Sequence, residues 1–267
     1  MAIQPAQPQT IGGVLDTTFQ LYKASVAKVW LLCFIGALGS ALPSIYMLIK
    51  GAGNPGDPLA VLGAMTSLSY WLTYLLGISI SLWTMGALYL KVNSIGVDAE
   101  VGLGESLQLS LGRILILLAI TLLYMLAVMV GTILLLIPGI ILMVSLILAF
   151  NLAMLEQKGP IDSLLGSHNL VWGNWWRSFV VLSVGIIVVI IIYIAAGLIV
   201  GVVMPLAGLG TADPFATTML TTVVITVLVS FVVTPFYSAL VIALYWDLKL
   251  RKEGGDLAAR VNALGAA

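Results

Sequence analysis

ILILLAITLLYMLAVMVGTILLLIPGIILMVSLILAFNLAML, residues 114–155, runs for 42 residues without a charge. As one α-helix it would be about 63 Å long at 1.5 Å per residue, twice the roughly 30 Å of hydrocarbon in a bilayer. Near its middle stands Ile137-Pro138-Gly139. Proline ends a preceding helix and glycine permits a tight turn. The stretch therefore predicts two membrane helices folded back as a hairpin, 114–136 and 139–155.

The same test extends outward. Four other uncharged stretches occupy 29–49, 58–90, 178–212 and 214–246. Each holds the 20 or so apolar residues that one crossing needs. The predicted spans are about 29–49, 61–90, 114–136, 139–155, 178–203 and 217–246. Composition agrees, with 61% apolar and only 8% charged residues, against about 25% charged in soluble domains. The expected fold is an all-α integral membrane protein of six transmembrane helices in three hairpins. Residues 11–252 form the membrane domain, 1–10 a disordered lead without signal-peptide character, and 253–267 a C-terminal tail. The single cysteine, Cys33, lies in an apolar run and forms no internal disulfide.

Orientation follows from the cations, which concentrate in cytoplasmic loops. With the N-terminus inside, Lys23, Lys28, Lys91, Arg113, Lys158, Arg177, Lys249, Arg251, Lys252 and Arg260 fall on the inner side and only Lys50 on the outer. Without the Pro138-Gly139 turn, every later segment would change sides. The outer connections are then Gly51 to Pro58, the Pro138-Gly139 turn, and Pro205 to Pro214. Trp30, Trp172, Trp175, Trp176, Tyr245 and Trp246 cluster at the inner boundary, the headgroup level that Trp and Tyr prefer.

Each helix pair is preceded by a similar segment. Gly13-Val14-Leu15-Asp16-Thr17, Gly102-Leu103-Gly104-Glu105-Ser106 and Gly159-Pro160-Ile161-Asp162-Ser163 share G-x-x-[DE]-[ST]. Each opens a short amphipathic helix. The apolar stripes are Leu15, Phe19, Tyr22, Val26 and Val29; Leu103, Leu107, Leu111 and Ile114; and Ile161, Leu165 and Trp172. Such helices lie in the headgroup plane with the apolar face toward the acyl region. Three units result, each an interfacial helix followed by a hairpin, unevenly spaced along the chain.

Three stretches carry a family resemblance: Gly13 through Lys23; Ile137-Pro138-Gly139 through Glu156, with Gly159 to Leu164 and Gly173-Asn174-Trp175-Trp176-Arg177; and Tyr245 through Gly254, with Asp256 and Leu257. Together they resemble the glycerophosphoryl diester phosphodiesterase membrane-domain family and its YciC-type bacterial inner-membrane relatives. The resemblance implies a six-helix protein of the bacterial inner (plasma) membrane with both termini cytoplasmic. It carries over no catalytic residue. The phosphodiesterase barrel of the fused relatives takes about 250 residues by itself, and this chain has one histidine.

Sites of chemistry are sparse. His168 has no carboxylate or second ligand at i±3 or i±4, so it reads as a polar residue of a surface helix. No Walker A, G-x-S-x-G, H-E-x-x-H or Cys/His metal spacing occurs, so no cofactor, no metal and no enzymatic activity are expected, and nothing points to nucleic acid. No Asp, Glu, Lys or Arg lies deep in a predicted span, which argues against ion-coupled carriers. Ser79, Ser81 and Thr84 in the second span and Thr234 beside Pro235 are the candidates for a polar path, although hydroxyls in spans more often bond to helices. Small-residue stripes at Gly36/Ser40, Gly77/Ser81 and Gly197/Gly201 allow close helix approach, within one chain or in a homo-oligomer. Lys249, Arg251 and Lys252, with Arg177, Trp175 and Trp176, are the candidate lipid-headgroup contacts. Two functions fit. One is a non-enzymatic protein engaging membrane lipid or a partner protein at the cytoplasmic leaflet, in envelope homeostasis or as a scaffold. The other is a transporter or channel for a lipid or small solute.

Overall fold

The computed structural model describes residues 2–51, 58–206 and 214–265. The expected outer connections around Gly53 and Thr211 lie outside the described residues. Among the described residues every regular element is an α-helix: α1 (Ile11–Gly51), α2 (Pro58–Thr66), α3 (Leu68–Gly96), α4 (Leu103–Leu111), α5 (Ile114–Leu134), α6 (Leu136–Ser145), α7 (Ala149–Leu155), α8 (Pro160–Val171), α9 (Trp175–Leu206) and α10 (Pro214–Gly265). Among the described residues six stretches are long and apolar enough to cross a bilayer: Ile11–Lys50, Leu68–Gly96, Ile114–Leu134, Leu136–Leu155, Trp175–Met204 and Phe215–Gly254.

The central hairpin turns, but not at Pro138-Gly139. Helix α5 ends at Leu134, Leu135 alone is extended (φ −165°, ψ 146°), and α6 starts at Leu136. Pro138 sits in the first turn of α6. Amide groups in a first turn have no acceptor within their own helix, so a residue without an N–H fits there. Gly139 serves close approach instead. A Cβ on it would come within 2.2 Å of Thr132 Oγ1 and 2.9 Å of Thr132 Cα.

Two of the three amphipathic segments, α4 and α8, are separate helices. The first is not: it is the opening of the 41-residue α1 and runs unbroken into the first span. No glycine or proline stands between Gly13 and Gly36 to interrupt it, whereas α4 ends at Gly112 and α8 is followed by Gly173 at φ +91°. The lead is also tied down. Ile3 and Gln4 donate backbone N–H bonds to Gly96 O, and Gln9 donates to Asp247 Oδ1 at 2.8 Å. A buried carboxylate needs donors, and the strap of residues 2–10 supplies one. Helix α10 continues past Lys252 to Gly265, through most of the segment expected as a tail.

The three units assemble alike. Helix α1 pairs with α3, α5 with α6, and α9 with α10. Each amphipathic segment then docks on the second span of the preceding unit: α4 on α3, α8 on α6 and α7, and the start of α1 on α10, where Phe19 and Tyr22 meet Phe236. The second spans also touch one another, α10 with α3 and α7, and α3 with α7. They bury their C-terminal halves, with Ala87, Leu88, Tyr89 and Val92, Leu148 and Leu152, and Ala239 through Leu244 forming the main core. Of the first spans, α5 and α9 are peripheral, whereas α1 adds Val29, Leu32 and Cys33 to that core. In its most apolar window α9 buries only 6% of its residues, against 56% for α10. Helix ends toward the core are thus tightly joined, and the far halves present apolar side chains outward, as a bilayer requires.

Candidate functional site

The [ST] of the shared pattern is a buried position in each segment. Thr17, Ser106 and Ser163 are all buried. One turn later, Ser110 Oγ donates to Trp83 O of α3 at 2.6 Å, and Ser167 Oγ donates to Ser145 O at the end of α6 at 2.7 Å. Ser167 Oγ also accepts from Leu148 N at 3.0 Å, at the break between α6 and α7. A small hydroxyl lets the helices approach closely and satisfies a carbonyl that the break exposes.

The charges gather where the second spans end. Three carboxylates each hold two cations. Glu100 binds Lys28 and Lys91, the latter at 3.5 Å. Glu156 binds Lys158 and Lys249, both at 2.8 Å, and accepts from Tyr245 OH at 2.6 Å. Asp247 binds Arg177 at 2.8 Å and Arg251 at 3.0 Å. Both guanidinium groups also reach Gln9 O. The Asp247 side chain is fully buried, so it must be paired. Each triad keeps one surplus positive charge. Lys28, Arg113 and Arg177 stand where the first spans begin, and each ties to the far end of its own hairpin. Arg113 does so through Gln157 Oε1 and Lys158 O rather than through a carboxylate. Left-handed residues recur as well, Asp98 (φ 59°) before α4 and Gln157 (φ 56°) before α8.

Burial pushes the Glu156 carboxyl up, but hydrogen bonds from Lys158, Lys249 and Tyr245 outweigh it and lower its pKa from 4.5 to about 2. A depressed carboxylate contributes stability that is present above its unfolded pKa and lost as pH falls through the folded value. Melting temperature in detergent should therefore be flat from neutral pH to about 5 and fall between about 4.5 and 2. Glu156→Gln should flatten that limb; an unchanged limb would separate Glu156 from the acid transition.

The candidate headgroup contacts are largely engaged within the chain. Arg177 and Arg251 hold Asp247, Lys249 holds Glu156, and the exposed Lys252 donates to Asn169 O at 3.1 Å. Trp175 Nε1 donates to Ile141 O at 3.3 Å, and Trp176 is exposed. The polar-path candidates do not form a line. Ser79 and Thr84 bond back to carbonyls of their own helix, and Ser81 bonds Gly77 O at 2.9 Å and reaches Gly36 O at 3.4 Å. Ser81 lines a cavity of about 370 Å³ with Gly39, Tyr74 and Thr121, whereas Ser79, Thr84 and Thr234 do not. His168 packs tilted against Trp172, ring centroids 5.0 Å apart. Among the described residues no group of three or more His, Cys, Asp or Glu side chains gathers as a metal site.

Spans of this length and hydropathy, joined by paired charges at one end, define a multi-pass α-helical membrane protein. Residues 88–248 match the family described as a domain of unknown function, DUF7847. That match covers more than half of the chain, and the chain belongs to this family. All three clustered carboxylates lie inside it. No curated protein and no solved structure matches the chain.

Proposed function

We propose that this chain is a non-catalytic protein of the bacterial inner membrane, with both termini cytoplasmic, that engages lipid of the cytoplasmic leaflet and so serves envelope homeostasis. One observation carries the reading: α4 and α8 bury hydroxyls in the protein and leave other large apolar side chains exposed, although Leu103 and Leu107 of α4 and Leu164 and Leu170 of α8 pack inward. Ser106, Ser110, Ser163 and Ser167 are buried, while Leu109, Leu111, Ile161, Leu165 and Trp172 are exposed. In water that arrangement is unfavourable at about 25 cal/mol per Å² of exposed apolar surface; against acyl chains it is favourable. The surplus cation of each triad favours an anionic leaflet beside these helices. The resemblance to the glycerophosphoryl diester phosphodiesterase membrane-domain proteins supports the inner-membrane location.

Two experiments test it. Cysteines at positions 53 and 211, in a Cys33→Ala background, should react with an impermeant thiol reagent in intact cells, and one at 255 should not. Labelling at 255 reverses the orientation and removes the cytoplasmic-leaflet reading. Purified protein should retain anionic lipid selectively and catalyse no solute flux in liposomes. Gradient-driven uptake lost on changing Ser81 or Thr84 would establish the transporter instead.

A further inference from the structure

The C-terminal ends of the three second spans enclose a cavity of about 200 Å³, lined by Asn93 and Val97 of the first unit, Leu155 of the second, Tyr245, Trp246, Lys249 and Leu250 of the third, and Gln4 of the strap. We infer that this cavity is a binding site for a small phosphate-bearing anion.

Two of the polar groups around it, on Asn93 and Lys249, have donors to spare, and a hydrogen bond fixes the orientation of the Asn93 amide. Trp246 Nε1 donates to Asn93 Oδ1 at 3.0 Å. Indole can only donate, so the amide oxygen is committed to it and the Nδ2 group, with two N–H bonds, is the end left for the cavity. Lys249 Nζ gives two of its three donors to Glu156 Oε1 and Tyr245 OH, at 2.8 and 3.1 Å. Its third donor and its charge remain. Gln4 adds a side-chain amide at the edge.

The acceptors that would repel an anion are already engaged. Gly96 O takes the backbone N–H groups of Ile3 and Gln4, and Leu152 O takes those of Glu156 and Lys158. Glu156 carries Lys158 on one oxygen and Lys249 with Tyr245 on the other. The cluster therefore faces the cavity with one net positive charge. A planar carboxylate is best met by the fork of an arginine, and no arginine lines this cavity among the described residues. A lysine point charge with separate amide donors suits a tetrahedral oxyanion. The walls formed by Val97, Leu155 and the Trp246 ring leave room for the carbon skeleton of an ester. The phosphate can belong to a lipid headgroup or to a soluble compound, and only the lipid source rests on the proposed inner-leaflet function.

The test uses the full chain in nanodiscs of uncharged phosphatidylcholine, titrated calorimetrically with inorganic phosphate and with glycerol 3-phosphate. Saturable binding is expected below about 10 mM, within the range of weak specific sites. Asn93→Asp keeps the acceptor that Trp246 needs and replaces the donor with a negative charge, so it should weaken binding at least tenfold while the protein stays monodisperse. Gln4→Glu, at the edge of the cavity, should weaken it severalfold and covers the case in which Asn93→Asp does not fold. Nanodiscs with phosphatidic acid should abolish soluble phosphate binding if the source is a headgroup and leave it unchanged if the source is soluble. No binding by the wild-type chain, or equal binding by both variants, overturns the site. Anionic lipid retained without any cavity binding would overturn the site and leave the inner-leaflet reading standing.

Discussion

Asp247→Ala should remove about 3–5 kcal/mol of stability, the range for breaking a buried ion pair from one side. The carboxylate is fully buried between Arg177, 16% exposed, and Arg251, 30% exposed. Without it, both guanidinium groups face each other and Gln9 O, and the Gln9 N–H loses its acceptor. Like charges left in a half-buried pocket account for most of the cost. Three elements separate at once, because Asp247 joins the strap, the start of α9 and the inner part of α10. Asp247→Asn retains an acceptor for Gln9 and should lose less. Asp247→Ala with Arg251→Ala should recover part of the loss, since coupled residues are not additive. Lys252→Ala, at an exposed position, should change stability by under about 0.5 kcal/mol. Reversible unfolding in mixed micelles measures all four. A loss for Asp247→Ala no larger than that for Lys252→Ala would show that the triad does not hold the bundle.

The spans were legible because a bilayer tests a sequence one segment at a time. Charge-free length and the bias of Lys and Arg to one side are local properties, and they locate all six crossings. The hairpin in 114–155 was legible in number but not in place. Pro138 signals a break somewhere near it, yet the first turn of α6 accepts proline as readily as the turn itself. The unbroken α1 was missed for the opposite reason: amphipathicity predicts a face, and only a breaker such as Gly112 or Gly173 ends a helix. The triads were out of reach. Lys28 and Glu100 are 72 residues apart, Arg177 and Asp247 70, and Glu156 and Lys249 93. No period or spacing announces such pairs. Read alone, the basic residues looked free for lipid. The recurring [ST] of the repeated pattern reads in the sequence only as part of a helix start, and its burial at Thr17, Ser106 and Ser163 is visible only in the fold.

Gly77→Ala and Gly197→Ala should have opposite effects, although both glycines lie in small-residue stripes of the same form. A Cβ on Gly77 would come within 2.5 Å of the Gly39 carbonyl oxygen and 3.6 Å of Leu42 Cβ. The first obstacle is backbone, so no side-chain rotation relieves it and α1 and α3 must part. The reciprocal contact is also close, since a Cβ on Gly39 would meet Gly77 O at 3.0 Å and Ile80 Cγ2 at 2.8 Å. Between spans there is no hydrophobic drive, and close van der Waals contact is the main source of association. Overpacking there should cost about 1–3 kcal/mol and weaken the Ser81 contact to Gly36 O, which already stands at 3.4 Å. Gly197 on α9 has nothing within 4 Å of an added Cβ. Alanine there gains helix propensity of about 0.5–1 kcal/mol and meets no obstacle among the described residues. The same unfolding measurement should thus report a loss at 77 and a gain or no change at 197. A loss at 197 that shrank with dilution of the protein in detergent would mean that a second copy packs on α9, whereas a neutral Gly77→Ala would show that α1 and α3 do not depend on this approach.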